Sequence, residues 1–259
     1  MRYTFLIILI LSVSTAISQD SLRWYSAKLK SLTFSIIDDN DKVRGRVEFI
    51  VERIDSSHKP ALSLFGKAIA YASGPQGYGS NKFTDTYQVK IDTNGFYIDY
   101  GILRNFSGSS FRSTEVIIIK NSALLFYPKN PQIGQTIPSG INVKAHFYTE
   151  QSGFGDPAKK QPFSFRPGDN NNLETGRVSY TRVDERKVMA KESKTVMGKK
   201  LETYVIQHSI SAASKENGNY KEGGYMKEWY NINAGVVAFS VYTKKDKLIM
   251  SGVLTSVGY

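Results

Sequence analysis

Side chains suited to acid–base or metal chemistry are few in this chain, which holds three histidines and no cysteine. His58 falls in a segment that reads as a loop, and His146 sits on the polar side of an alternating stretch. His208 shares one strand face with Tyr204 and Ile206. It reads as a core histidine, because a general base needs a positioned partner and the sequence displays none. Zinc sites built from Cys and His are nearly excluded on these counts. Asp38-Asp39-Asn40-Asp41 gathers the oxygen ligands calcium takes, yet it lacks EF-hand spacing and the downstream glutamate, so it reads as a polar hairpin turn. Gly74 to Ser80 (GPQGYGS) lacks the Lys-Ser/Thr ending of a phosphate loop and reads as a flexible connection. No GxSxG elbow and no HExxH motif is present. Asn105-Phe106-Ser107 is a glycosylation sequon of the kind that arises by chance. Trp229 and Tyr230 are adjacent, so in a strand they point to opposite faces, one into the core and the other to solvent or a cavity. These residues yield no catalytic group, no metal ligand, no cofactor and no defined ligand-binding set.

The strongest local signal is N-terminal. Arg2 precedes the unbroken apolar run Phe5 to Leu11, and the small residues Ala16 and Ser18 stand two apart. This is the pattern of a signal peptide, residues 1–18, cut between Ser18 and Gln19. The run is far shorter than the ~20 apolar residues that span a bilayer, and no later stretch approaches that length, so the mature chain is not expected to cross a membrane as a helix. Without cysteine there is neither a disulfide nor a thiol for N-terminal lipid attachment. The formal net charge is +11, but it is dispersed in pairs such as Lys159-Lys160, Lys199-Lys200 and Lys244-Lys245. That dispersion reads as a solvated basic surface, not a nucleic-acid site.

The elements expected to carry these residues are strands. Aromatics make up 12% of the chain, mainly Tyr and Phe, which suits sheets. One short helix is expected over Asp20 to Leu32, from Leu22, Tyr25, Leu29 and Leu32 at spacings of three and four. After it come Thr33 to Ile37, then Val47, Phe49 and Val51 alternating with Arg46, Glu48 and Glu52, then the apolar Ala61 to Ser73. Phe83, Tyr87, Val89 and Ile91 lead into Asn94-Gly95, the dipeptide of a type I′ turn. That turn pairs Thr93 with Phe96, Ile91 with Ile98 and Val89 with Tyr100, and sets Lys90 opposite Asp99. Asn105 to Thr114 reads as a loop. Val116 to Ile119 and Leu124 to Tyr127 read as a second hairpin. Pro128, Pro131 and Pro138 frame an irregular crossing, Ile141 to Phe147 alternates again, and Gln151 to Asn172 is a long loop. Four segments close the chain: Arg177 to Met189, Leu201 to Ile210, Lys227 to Asn231, and Val236 to Leu254 folded back at Lys244 to Lys247. Strands without intervening helices imply an all-β fold, with curved antiparallel sheets in a sandwich or an open, partly closed barrel. Residues 19–259 are expected to form one β-rich domain. Gly45-Arg46-Val47 and Gly176-Arg177-Val178 hint at two related halves meeting near 128–140.

Several of these stretches together resemble a known family. Glu228-Trp229-Tyr230, Gly235-Val236-Val237, the lysine-rich turn and the ending Leu254-Thr255-Ser256 are similar to the TapB-like group of exported Bacteroidetes proteins, related to domains of unknown function. Tyr127-Pro128 with Ile133 to Pro138 looks like its proline-framed link, Asn94 to Asp99 like its central hairpin, and Gly45 like the start of its first hairpin. The pattern extends from about Leu32 to Val257. Asp246, Asn231 to Ala234 and the loop at Gln151 to Asn172 depart from it. The resemblance implies an exported β-sheet domain and no catalytic residue. Three functional classes follow. The first is a non-catalytic module for a small apolar or lipid-like ligand, which requires a lined cavity of several hundred Å³. The second is an envelope protein that meets a protein or glycan partner. The third is a hydrolase whose carboxylates converge only in the fold, ~5–9 Å apart. The expected location is periplasmic or extracellular.

Overall fold

The computed structural model describes residues 25–57, 61–74, 77–99, 114–121, 124–139, 142–149, 177–213 and 219–259. The signal-peptide segment, the sequon, His58 and the loop at 151–172 lie outside the described residues. Every regular element among the described residues is a strand: β1 Ser31–Asp38, β2 Val43–Asp55, β3 Leu62–Gly74, β4 Gly77–Ile91, β5 Gly95–Asp99, β6 Thr114–Asn121, β7 Leu124–Pro128, β8 Thr136–Ile137, β9 Asn142–Thr149, β10 Arg177–Val196, β11 Lys199–Ala213, β12 Lys221–Asn231, β13 Gly235–Thr243 and β14 Leu248–Gly258. They form one 14-stranded antiparallel sheet in the order β6-β9-β10-β11-β12-β13-β14-β1-β2-β3-β4-β5-β7, with β8 paired to β10 off that path. β7 stands at one end of the sheet, and the chain after it returns as β8 to the edge of β10, where Gly134 donates to Val188 and Val188 to Gln135. The sheet is thus curled into a nearly closed barrel, the open-barrel form of the expected all-β fold.

Alternation decides what faces inward. Leu32, Phe34 and Ile36 of β1, Val47 and Phe49 of β2, and Leu254 of β14 are buried on the barrel's inner side. Thr33, Ser35 and Ile37, between them, lie on the outer face and are partly exposed. The same inner face takes Tyr87 and Val89 of β4, Phe96 and Ile98 of β5, and Leu125 and Tyr127 of β7.

Four local expectations are corrected. No helix forms over residues 25–32. Leu29 closes a single turn onto Ser26 at 3.1 Å, and Leu32 then enters β1 between Val257 and Phe49. The glycine-rich stretch is not a loop over Gly77 to Ser80, because Gly74 pairs with Gly77 and Ser73 with Tyr78. Val116 to Ile119 and Leu124 to Tyr127 are strands but not a hairpin: β6 pairs with β9 and β7 with β5, at opposite ends of the sheet. In the central hairpin, Ile91 pairs with Phe96 and Val89 with Ile98, two residues from the expected register. Asp92 is the reason. Its carboxylate accepts the amides of Asn94 at 2.8 Å and Gly95 at 3.3 Å, and its own amide donates to Gly95 at 3.0 Å. The side chain therefore enlarges the turn to Asp92–Gly95. A shift of two keeps every side chain on its face. Lys90 then lies opposite Tyr97 instead of Asp99, and reaches Asp92 at 3.6 Å.

Candidate functional site

Two places concentrate polar or aromatic side chains in defined geometry: the seam where the barrel closes, and its outer face.

At the seam, β12 sends Met226, Glu228 and Tyr230 inward and Tyr225, Lys227 and Trp229 outward. On β10 an irregularity between Val183 and Arg186 turns Arg186 inward, opposite His208 of β11, which in turn faces Met226. Arg186 and Glu228 are both fully buried. Arg186 Nη2 donates to Glu228 Oε2 at 2.9 Å, and the Tyr127 hydroxyl donates to Glu228 Oε1 at 2.8 Å. Arg186 Nη1 donates to the backbone carbonyl of Phe126 at 2.7 Å, and the guanidinium lies 4.2 Å over the Tyr127 ring. A buried charge is tolerable only when paired and hydrogen-bonded, and this arrangement supplies both. It also spans the gap in the sheet. Phe126 belongs to the end strand β7, and its carbonyl is met by a side chain from β10. Burial works against the Arg186 charge, and Tyr127 and Glu228 outweigh it, so the guanidinium is held above its ordinary value. Burial, and then the neighbouring Glu228 carboxylate, push the Tyr127 phenol well above its ordinary value.

From this cluster a chain of rings runs through the interior. Tyr127 meets Tyr230 at 5.2 Å between centroids, Tyr230 meets Phe96 at 5.9 Å, and Phe96 meets Tyr25 at 5.3 Å. Phe49 stands edge-on to both Phe34 at 5.9 Å and Tyr87 at 5.3 Å. These rings belong to the buried core cluster inside the barrel or pack against it. An open groove of about 400 Å³ lies instead on the surface, between the turn carrying Lys28, Leu29 and Lys30, the β2 residues Val51 and Glu52, and Tyr259.

The outer face is organised by cations resting on rings. Arg46 lies 4.5 Å from the Tyr71 centroid, Arg53 4.2 Å from Phe65, and Lys194 4.1 Å from Trp229. Tyr225 and Tyr242, direct cross-strand partners, stack at 4.9 Å with 14° between planes, and Lys227 lies 5.7 and 5.5 Å from the two rings. The Tyr225 hydroxyl donates to Asp246 at 2.8 Å, and burial followed by that hydrogen bond pushes its phenol up to about 12. Trp229 is 8% exposed, covered by Lys194, and its indole donates to Glu192.

The candidate residues of the sequence fare differently. His208 is buried in the core, and His146 stands in β9 with its side chain outside the described residues. The Asp38 carboxylate is spent on the amides of Asn40 and Lys42, each at 2.9 Å, and on Arg44. Among the described residues no group of three or more histidines and carboxylates comes together to hold a metal. Trp229 and Tyr230 do point to opposite faces, with Tyr230 in the core. Both Glu228 oxygens accept hydrogen bonds, one from Tyr127 and one from Arg186. The seam itself escaped the sequence reading. Its visible signal is Glu228, a charge at an inward position between Met226 and Tyr230. Arg186 gives none, because a strand irregularity sets its face. No described helix is long and apolar enough to cross a membrane.

No known protein family matches the chain, and no curated protein matches it. Solved structures do. A Bacteroides fragilis protein described as exported and as having a YmcC-like fold superposes with a TM-score of 0.60 at 12% identity, covering 88% of this chain and 95% of its own. A Parabacteroides distasonis protein described as a lipoprotein superposes with a TM-score of 0.60 at 14% identity, covering 92% of this chain and 99% of its own. At these identities the likeness establishes the fold, which is YmcC-like. The TapB-like group is not among these matches, while the broader expectation of a fold found in Bacteroidetes proteins holds.

Proposed function

We propose that this chain is an exported, non-catalytic interaction protein of the cell envelope, working through the outer face of its barrel. The observation that supports this reading is the packed cluster of rings and the buried Arg186–Glu228 pair inside the barrel, where a carrier would place its ligand. Export is supported by the apolar run Phe5 to Leu11 with Ala16 and Ser18 before the expected cut, and by the exported and lipoprotein descriptions of the similar structures. The test is native mass spectrometry of the protein purified from its host's envelope, with lipid extraction of the same sample. A bare mass beginning at Gln19 agrees with the reading. A stoichiometric apolar passenger overturns it.

The small-ligand reading keeps one specific observation, the groove of about 400 Å³ beside Lys28 and Lys30. Its volume falls within the range of ligand pockets. Its two lysines over the apolar Leu29 and Val51 suit an anionic amphiphile. The same extraction decides between them.

A further inference from the structure

The curled sheet has two terminal strands, and they are finished differently. β7 ends one side, and the carbonyl of Phe126 is met there by Arg186 of β10. β6 ends the other side, paired with β9 alone, and among the described residues no strand pairs with its second edge. β6 has the sequence TEVIIIKN and is apolar at every position from Val116 to Ile119. Such a run has the composition of an internal strand, because an edge is ordinarily broken by charge or proline. Its unpaired amides and carbonyls are a template for one more strand.

The strand fits a second copy of itself. An isologous two-fold contact between edges sets residues of one face opposite each other, so the members of a pair must lie an even number of strand positions apart. Glu115 and Lys120 are an odd number of residues apart in sequence. The pairing with β9 passes over Ile119, since Ile118 lies opposite Ala145 and Lys120 opposite Lys144, which are consecutive residues of β9. This extra residue makes the separation of Glu115 and Lys120 even in strand positions. A two-fold axis at Ile117 then sets Ile117 opposite Ile117 of the second copy, Val116 opposite Ile118, Glu115 opposite Lys120 and Thr114 opposite Asn121. Apolar positions meet apolar ones, flanked on both sides by an opposite-charge pair. Within one chain the register sets Lys120 opposite Lys144, a like-charge position that costs stability. Glu115 of the second copy would stand on the other side of Lys120 and offset that cost.

We infer that the protein self-associates through β6, which pairs antiparallel with β6 of a second copy about a two-fold axis at Ile117, so that one sheet runs through both molecules. The inference goes beyond the outer-face reading and does not depend on it. An irregularity and a lysine are also devices that keep sheet edges apart. In β6 the irregularity is what places the lysine opposite a glutamate, so together they select the partner. A second β6 supplies both charges and the apolar run in the required order, which an unrelated added strand does not.

Sedimentation velocity of the chain from Gln19 to Tyr259 over a range of concentrations tests the pairing, and a dimer is expected. Glu115→Lys and Lys120→Glu should each weaken it roughly tenfold, because two equivalent pairs turn from attraction to repulsion. The double reversal Glu115→Lys/Lys120→Glu should restore it. Lys120→Glu also gains Lys144 as an opposite charge within the chain, so dissociation in that variant does not come from a weakened fold, as circular dichroism checks. Lys245→Glu, in the turn between β13 and β14, should leave the dimer unchanged. The chain has no cysteine, so a single introduced one links only to its own copy. Ile117→Cys should form a disulfide-linked dimer under mild oxidation, and Thr114→Cys, away from the axis, should not. A monomer at every concentration overturns the inference. So does a dimer that ignores the charge reversals, one that the double reversal fails to restore, or equal linking at both cysteines, each of which places the contact elsewhere. These failures leave the outer-face reading untouched, whereas a co-purified passenger would remove that reading and leave the β6 pairing standing.

Discussion

Arg186 and Glu228 lie on strands separated by β11, yet their side chains meet at 2.9 Å in the barrel interior, neither exposed to solvent. The pair ties the end strand β7 back to β10, because the same guanidinium also holds the carbonyl of Phe126.

Breaking one member should therefore be severe. Arg186→Met leaves the Glu228 carboxylate buried without its cation and is expected to cost about 3–5 kcal/mol. The double variant Arg186→Met/Glu228→Leu removes both charges and should recover much of that loss. Urea unfolding of the three proteins checks it. A double variant no more stable than Arg186→Met would mean that the pair is needed to form the seam at all.

Two tyrosines in contact should respond with opposite signs. The Tyr127 hydroxyl donates to a carboxylate, so Tyr127→Phe should destabilise by roughly 1.5–3 kcal/mol. The Tyr230 hydroxyl is buried without a hydrogen-bond partner among the described residues. Tyr230→Phe should be neutral or stabilising, since it removes a polar group that gains nothing from burial. Thermal melts decide, and a clear destabilisation by Tyr230→Phe would reveal an internal water bound there.

Gly252 of β14 faces Phe239 of β13 in register, and a Cβ at Gly252 would come within 2.0 Å of the Phe239 ring. Gly252→Ala forces that ring out of place and should cost about 1–3 kcal/mol. The companion change Phe239→Leu in the Gly252→Ala background should restore part of the loss. Chemical denaturation of both proteins measures this.

Alkali should unfold the protein cooperatively. Burial raises the phenols of Tyr25, Tyr87, Tyr127 and Tyr230 above the ordinary tyrosine value. For an acid whose folded value is the higher one, the unfolded chain loses its proton first as pH rises. The stability from these groups is full below about pH 10 and falls above it. Phenolate absorbance should therefore appear in two stages, exposed tyrosines first and buried ones only with the loss of structure by circular dichroism. A smooth titration of all tyrosines in an intact fold would refute the packed interior.

Much of the architecture was legible because strand alternation depends on local sequence alone. Val47 and Phe49 turn inward and Arg46 and Glu48 outward as their spacing requires. Trp229 and Tyr230 divide between faces for the same reason. The central hairpin was located correctly, but its register was set by Asp92, a side chain that enlarges the turn beyond what Asn94-Gly95 alone dictates. Pairing between distant strands was not legible. Leu124 to Tyr127 reads like the second arm of a hairpin, and only the curl of the sheet carries it to β5. The seam stayed hidden for a related reason. Arg186 acquires its inward face from an irregularity in β10, and its partners Phe126 and Glu228 come from other parts of the chain.

The pairing of β1 with β14 sets an order of events. Phe34 lies beside Leu254, and Ser35 meets Thr255 across 220 residues of sequence. Closing a loop of that size is slow, so contact order predicts a late step in folding. The first strand can form its hairpin with β2 early, but its second edge stays open until the last strand has emerged. A chain threaded through a translocon from its N-terminus could not complete this sheet before its end had crossed. Until then β1 is paired on one edge only, by β2.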